Sequence, residues 1–176
     1  MPEPIDDDLQ VFLKRYPVRP YHLPEERDYP SAELEQVGPS DGLRFLNEVP
    51  ATAPRGTPRR SNQDNGENCH LWVIDQRGRP CISEAPLPRL GKGRLHHTNL
   101  TGGGVASMGG EVWFDEMLRI YLSGSSGRYP PLCAEHMEDA EQLFTAVGFE
   151  VFSLGWDQET DTPRRVLRER VPKAEE

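Results

Sequence analysis

Between residues 69 and 155 the spacing of hydrophobic positions changes along the chain, and each spacing predicts a different element. CHLWVID and RPCISE flank the turn QRG, which predicts a β-hairpin. GEVWFDEMLRIYLS predicts a second hairpin with its centre at Asp115 and Glu116. From Leu132 to Val147 the apolar residues fall on one helical stripe. Gly148 ends that helix, and FEVFSLGW then alternates as a strand does.

The stretch between the two hairpins is rich in glycine and polar residues. We predict a strand from Arg94 to Leu100, a turn from Gly102 to Gly104 and a short strand from Val105 to Met108. With the hairpins and the helix, these elements predict an α+β fold: an antiparallel, mostly β sheet with one principal helix packed on it.

The first 68 residues follow a looser pattern. Apolar residues at helical spacing predict a short helix from Asp6 to Tyr16, and a second is expected from Ser40 to Val49. Pro50 to Asn68 has almost no apolar side chains and is typical of a linker. We therefore predict a Pro-rich, loosely ordered segment with short helices at 1–68, an α+β core domain at 69–155 and a charged tail at 156–176.

Composition and charge narrow the functional classes. The hydrophobic fraction of 35%, with 16 glycines and 17 prolines, predicts a compact core over only part of the length. A net charge of -9 argues against sequence-independent nucleic-acid binding, because phosphates repel an acidic surface. We expect no nucleic-acid partner, whereas a protein target or partner remains open, as does the oligomeric state.

The chain shows no export or membrane signal. Its start, MPEPIDDDLQ, lacks the basic and apolar regions of a signal peptide, and no apolar run approaches the roughly 20 residues that cross a bilayer. Three scattered cysteines do not form a disulfide framework. These features predict no membrane association and a protein that is cytoplasmic, or delivered by a specialised secretion system without a cleaved signal.

Polar residues that could carry chemistry concentrate between residues 94 and 129. His96 and His97 are neighbours on a predicted strand, so only one of them is expected to face a cleft. Glu111 could orient an imidazole or a ribose hydroxyl, although a glutamate at the start of a strand is more often solvated. The loop that ends at Tyr129 is either a rigid corner or one wall of a site.

Two other kinds of site are disfavoured by spacing. Cysteines and histidines are present at Cys69, His70, Cys81, Cys133 and His136, but no CxxC pair occurs and no familiar zinc module matches. We therefore predict no metal site. A cysteine-protease arrangement is equally unsupported, since a single cysteine on a strand or at a helix start is usually a small hydrophobic residue.

Four motifs in order carry a family resemblance. They are Leu95-His96-His97-Thr98-Asn99-Leu100, Gly102-Gly103-Gly104-Val105, Gly109-Gly110-Glu111 and Ser126-Gly127-Arg128-Tyr129-Pro130. The succession resembles a domain with the pattern His-Ser-Ser-Leu, Gly-Gly-x-Val, Ala-Gly-Glu and Ser-Gly-His-Tyr-x-Pro. That domain occurs in bacterial polymorphic toxins and effectors and in plant IQ-motif calmodulin-binding proteins.

The resemblance covers residues 69 to 155 and has three departures. Thr98-Asn99 replaces Ser-Ser, Gly109 replaces Ala, and Arg128 replaces a histidine. Because arginine stays protonated at neutral pH, a general base at position 128 is not available. No IQ helix is present, so calmodulin binding is not expected.

By analogy with ADP-ribosyltransferase folds, the resemblance implies a site for a nucleotide-type ligand, with NAD as the expected one. His97 and Glu111 would then be catalytic, with the carboxylate stabilising an oxocarbenium ion. Thr98, Ser126, Arg128 and Tyr129 would bind the ligand. The implied activity is NAD-dependent ADP-ribosyl transfer or NAD hydrolysis in a toxin- or effector-like domain. The alternative is a non-catalytic protein-binding module that uses the same loops.

Overall fold

The computed structural model describes residues 6–23, 31–48, 54–90, 94–117 and 119–168. Within these ranges the α-helices are α1 (Asp7–Arg15), α2 (His97–Thr101) and α3 (Ala134–Ala146). The strands are β1 (Arg19–Pro20), β2 (Arg44–Phe45), β3 (His70–Ile74), β4 (Pro80–Ser83), β5 (Val105–Ala106), β6 (Met108–Phe114), β7 (Ile120–Ser123), β8 (Val151–Ser153), β9 (Trp156–Asp157) and β10 (Thr162–Pro163). Short 3₁₀ helices span Ser31–Leu34, Pro39–Asp41, Leu46–Glu48 and Pro88–Leu90.

The central sheet has six strands in the order β2-β4-β3-β6-β7-β8. Every neighbouring pair is antiparallel except β7 and β8, which are parallel. That one parallel pair is joined through α3, since parallel neighbours need a long crossover connection. The fold is α+β and mostly antiparallel, as predicted, and both hairpins form where the alternation places them.

Both faces of the sheet are covered. In β3, Trp72 and Ile74 enter the core beneath α1 and α3, whereas Leu71 and Val73 enter a second core on the opposite face. This two-sided burial explains why β3 is a continuous apolar run, because successive side chains of a strand point to opposite faces. Tyr129 is wholly buried in the second core.

The predicted strand from Arg94 to Leu100 is wrong, because α2 occupies its second half. The Asn99 carboxamide oxygen accepts a hydrogen bond of 2.9 Å from the His96 N–H and so caps the helix. The Asn99 amide donates to the carbonyls of Ala32 and Glu35. Gly102 ends the helix with a left-handed φ of 63°.

The predicted helix from Ser40 to Val49 is also wrong over the described residues 40–48; Val49 lies outside them. Gly42 has a φ of 101°, which interrupts any helix at this point. Arg44 and Phe45 then pair with β4 and extend the sheet by one strand.

The described parts of the first 68 residues contribute directly to the core. Leu9 and Phe12 of α1 are buried with the residues of α3, as the helical spacing from Asp6 predicted. Strand β1 pairs with β5, and β2 forms one edge of the sheet. The charged segment after residue 155 includes the antiparallel pair β9 and β10. The boundaries at 69 and 156 stay predictions.

The described helices are short compared with a membrane-spanning helix. The longest described helix, α3, has 13 residues, and no helix within the described ranges has the length and apolar character needed to cross a bilayer.

A buried histidine ties α1 and α3 to the sheet. The Leu132 N–H donates to His136 Nδ1 at 3.0 Å, so the proton of the neutral ring is on Nε2. That nitrogen lies 3.1 Å from Ser107 Oγ, and the Ser107 hydroxyl donates to the Tyr16 carbonyl. Burial, with a contribution from Arg19, lowers the pKa of His136 to about 4.

We predict that His136 makes the protein sensitive to acid. Because the ordinary pKa of 6.5 falls to about 4 on folding, the unfolded chain binds more protons between these values, and stability is lost as the pH falls. The loss between pH 7 and pH 5 should be about 2 kcal/mol for this group. Urea unfolding at both pH values should show that His136→Gln removes about this much of the pH dependence.

His22→Gln is the matched control, because His22 is exposed. It should leave the pH dependence of the unfolding free energy unchanged. Equal pH dependence in the wild type and in His136→Gln would contradict the prediction.

Candidate functional site

An open cleft of about 600 Å³ lies where α2, β6, the loop after β7 and the segment around β10 meet. Its walls come from parts of the chain that are far apart in sequence. The polar lining residues are Arg59, Glu84, Arg94, His96, His97, Glu111, Ser125, Ser126, Thr162 and Arg165. Of the residues expected to form a site, His97, Glu111 and Ser126 are brought together here.

His97 begins α2 and lies against β6. Its Nε2 is 2.8 Å from the carbonyl oxygen of Gly110. Because a carbonyl can only accept, Nε2 carries the proton and Nδ1 of the neutral ring carries the lone pair. Burial lowers the pKa of His97, although the Gly110 carbonyl acts in the opposite direction. The neutral imidazole can therefore accept a hydrogen bond or a proton through Nδ1 at neutral pH.

The two glycines before Glu111 allow this close packing. A Cβ at Gly109 would lie 2.9 Å from Cδ2 of His97. A Cβ at Gly110 would overlap the carbonyl oxygen of Ser123 in β7 and lie 2.6 Å from Cζ2 of Trp72. Packing alone therefore requires glycine at the first two positions of the Gly-Gly-Glu motif, whatever chemistry Glu111 carries out.

Glu111 is held from two sides. Nη1 of Arg59 lies 2.8 Å from Oε2 of Glu111, and the Cys69 thiol donates to the same oxygen at 3.1 Å. The Arg59 guanidinium also lies over the ring of Trp113, 5.6 Å from its centroid. With 7% of its side chain exposed, Glu111 is a fixed negative charge in the wall of the cleft.

Sequence reasoning missed a second carboxylate, Glu84. One oxygen each of Glu84 and Glu111 and the sulfur of Cys69 lie within 4.8 Å of one another. Burial and the charge of Glu111 raise the pKa of Glu84, and these effects outweigh the lowering by the Cys69 thiol, Arg94 and Arg59. The predicted hairpin could have indicated this position for Glu84. Its register pairs His70 with Ser83, so Cys69 and Glu84 lie opposite each other.

The same three residues offer ligand atoms that a metal ion could use. The Arg59 guanidinium, 2.8 Å from Glu111, already supplies a positive charge at this position. Burial also raises the pKa of the Cys69 thiol, which disfavours the thiolate that binds metals. The donor set therefore does not favour a metal ion.

The other predicted ligand-binding residues do not line the cleft. The Thr98 hydroxyl donates to the Glu33 carbonyl at 2.6 Å, and Nη2 of Arg128 lies 3.5 Å from the Glu33 carboxylate. The Tyr129 hydroxyl donates to the Gly104 carbonyl at 2.7 Å, and burial raises its pKa. These three side chains hold the loops around the cleft, because their polar atoms point into the protein.

Two arginines, also missed from the sequence, give the cleft a basic rim. Arg94 and Arg165 are exposed, and neither forms an ion pair with another residue in the described ranges. The segment that carries Arg165 is fixed by the Ser123 hydroxyl, which donates to the Arg164 carbonyl at 3.0 Å. The cleft therefore combines a carboxylate pair in its wall with positive charge at its edge.

Comparison with protein families, with curated proteins and with solved structures finds no match to this chain. The resemblance to the domain of polymorphic toxins and IQ-motif proteins stays a prediction. The chemistry of the cleft has to be judged from its own residues.

We predict that Gly110→Ala destabilises the protein by about 2 kcal/mol or more, because the new methyl group would displace β7 or Trp72. Urea unfolding should show the loss as a lower transition midpoint. Gly127→Ala is the matched control, since a Cβ at Gly127 meets no atom within 4 Å. Equal midpoints for the two variants would contradict the close packing on β6.

Proposed function

We propose that the cleft binds a nucleotide-type ligand such as NAD and cleaves the bond between its nicotinamide and ribose. The protein would act as an NAD glycohydrolase or as an ADP-ribosyltransferase with a protein target. The convergence of His97, Glu111 and Ser126 on one cleft supports this proposal most strongly. Its volume of about 600 Å³ is within the usual range for small-molecule sites.

The charges of the cleft suit the two ends of such a ligand. Arg94 and Arg165 at the rim can bind the diphosphate, because guanidinium groups match phosphate geometry. Glu111 in the wall can face the ribose carbon from which nicotinamide departs. Nδ1 of His97 could bind one ribose hydroxyl, and the Ser126 hydroxyl, which accepts from the Tyr129 N–H at 3.0 Å, could bind another.

The reaction needs a fixed negative charge. When the C1′–N bond breaks, its electron pair goes to the pyridinium nitrogen and neutral nicotinamide leaves, so positive charge develops on the ribose. A carboxylate fixed beside that carbon stabilises the oxocarbenium-like transition state. Glu111 meets this requirement, because Arg59 and Cys69 hold its position.

A toxin- or effector-like role belongs to the same proposal. Depletion of NAD or modification of a target protein would harm a cell whose cytoplasm contains the domain. The domain would act where it is made or after delivery by a specialised secretion system.

One observation favours the alternative, a non-catalytic protein-binding module. Glu111 is paired with Arg59, and buried ion pairs often serve structure alone. In that case the cleft would receive a partner's side chain and no bond would be cleaved.

Ligand binding is tested by thermal unfolding with ADP-ribose, NAD and adenosine. At 100 times the dissociation constant we expect about 2.7 kcal/mol of stabilisation by ADP-ribose and NAD. Adenosine should stabilise less, because it lacks the phosphates. Arg165→Ala should weaken ADP-ribose binding about tenfold. Lys14→Ala removes the same charge from α1, which does not line the cleft, and should bind normally. No stabilisation of the wild type would contradict the proposal.

Catalysis is tested by nicotinamide release and by growth of a bacterial host that expresses the protein. Glu111→Gln should lower the rate of NAD cleavage at least 100-fold and relieve growth inhibition, because the amide carries no charge. Circular dichroism must show that the variant folds, since the change leaves Arg59 without its carboxylate partner. If expression of the wild type does not inhibit growth, and Glu111→Gln still captures the protein partners that the wild type captures, the binding module would be favoured.

A further inference from the structure

The function proposed above leaves the second carboxylate of the cleft without a role. Glu84 lines the same cleft as Glu111, and their oxygens lie within 4.8 Å of each other. The Cys69 thiol donates to Glu111 at 3.1 Å, and its sulfur lies within 4.8 Å of a Glu84 carboxylate oxygen. The register of β3 with β4 places Cys69 and Glu84 opposite each other, and the Glu84 N–H donates to the Cys69 carbonyl at 2.9 Å.

The two carboxylates have different surroundings. Glu111 forms a buried ion pair with Arg59. Among the residues that the structure describes, Glu84 forms no ion pair, and it is only half-buried. Burial and the nearby Glu111 raise the pKa of Glu84, whereas Cys69, Arg94 and Arg59 lower it. Two neighbouring carboxyl groups in such different surroundings can divide two tasks, one as a fixed charge and one as a proton acceptor.

We propose that Glu84 is a second catalytic residue, which takes the proton from the nucleophile that attacks the ribose. This inference rests on the proposed function. In hydrolysis the nucleophile is water, and in transfer it is a group of the target protein.

The step balances without another reactant. The C1′–N bond of NAD breaks and its electron pair stays on nicotinamide, which leaves as a neutral molecule. A water oxygen forms the new bond to C1′, and one water proton moves to the Glu84 carboxylate. Glu84 then releases that proton to solvent, so the products are ADP-ribose, nicotinamide and one proton.

Cys69 has a positioning role in this scheme. Burial and Glu111 raise the pKa of its thiol, so the thiol stays protonated and cannot compete as a nucleophile. Its hydrogen bond to Glu111 holds that carboxylate in place beside Glu84.

The test uses the whole protein and measures nicotinamide release from NAD. Glu84→Gln should lower kcat about 100-fold with little change in KM, because the amide cannot take a proton. Added formate should restore part of the rate of Glu84→Ala, which a purely structural role would not allow. Glu116→Gln is the matched control: Glu116 is an exposed glutamate outside the cleft and should keep the wild-type rate.

The pH profile gives an independent measurement. The wild-type rate should rise with pH through the raised pKa of Glu84, since the carboxylate must be free of its proton to act as a base. His97 also faces the cleft, and burial lowers its pKa. Glu84→Gln should therefore lose the part of the rise that is due to Glu84 and keep the part that is due to His97.

The outcomes separate the two proposals. A wild-type rate that Glu84→Gln leaves unchanged, or a Glu84→Ala variant that formate does not restore, would overturn the role of Glu84 alone. A wild type that neither binds nor cleaves NAD would overturn the proposed function and this inference with it. A profile that is flat from pH 5 to pH 8 would overturn the role of Glu84 even if its variants fail to fold.

Discussion

Close backbone packing at Gly109 and Gly110 determines where α2 can lie on the sheet. A side chain at either position would occupy space that the His97 ring, Trp72 or the Ser123 carbonyl now fills. Because the helix rests directly on β6, the Gly110 carbonyl meets the imidazole and fixes its tautomer. The next residue in the strand is Glu111, so one packing constraint places a neutral base and a fixed charge beside each other.

The periodicity of the chain could predict the elements whose partners are local. Both hairpins and α3 follow from alternation and from a helical stripe, since each pairs or packs with a nearby segment. Residues 94–100 could not be assigned this way. Asn99 forms hydrogen bonds with Ala32 and Glu35, more than 60 residues away in the chain, and these bonds stabilise a single turn of helix that propensity alone would not favour.

The candidate site was predictable to the same extent. His97, Glu111 and Ser126 stand in motifs, and the fold brings them to one cleft. Glu84 and Arg59 lie outside the motifs. The register of β3 with β4 places Glu84 at the cleft, and the packing of residues 54–60 beside β6 places Arg59 there. Tertiary position, which no local pattern encodes, therefore brings both of these charges to the cleft.

The distribution of charge bears on whether this acidic chain could bind the anionic ligand proposed above. A net charge of -9 opposes long-range attraction of polyanions, but salt screens such effects within about 10 Å. Inside the cleft the nearest charges matter most: two exposed arginines lie at the rim, and Glu111 is paired with a guanidinium. The Arg59 cation now lies next to the carboxylate where positive charge would develop on the ribose. A ligand that reaches Glu111 must therefore share or displace that guanidinium, which couples binding to the position of residues 54–60.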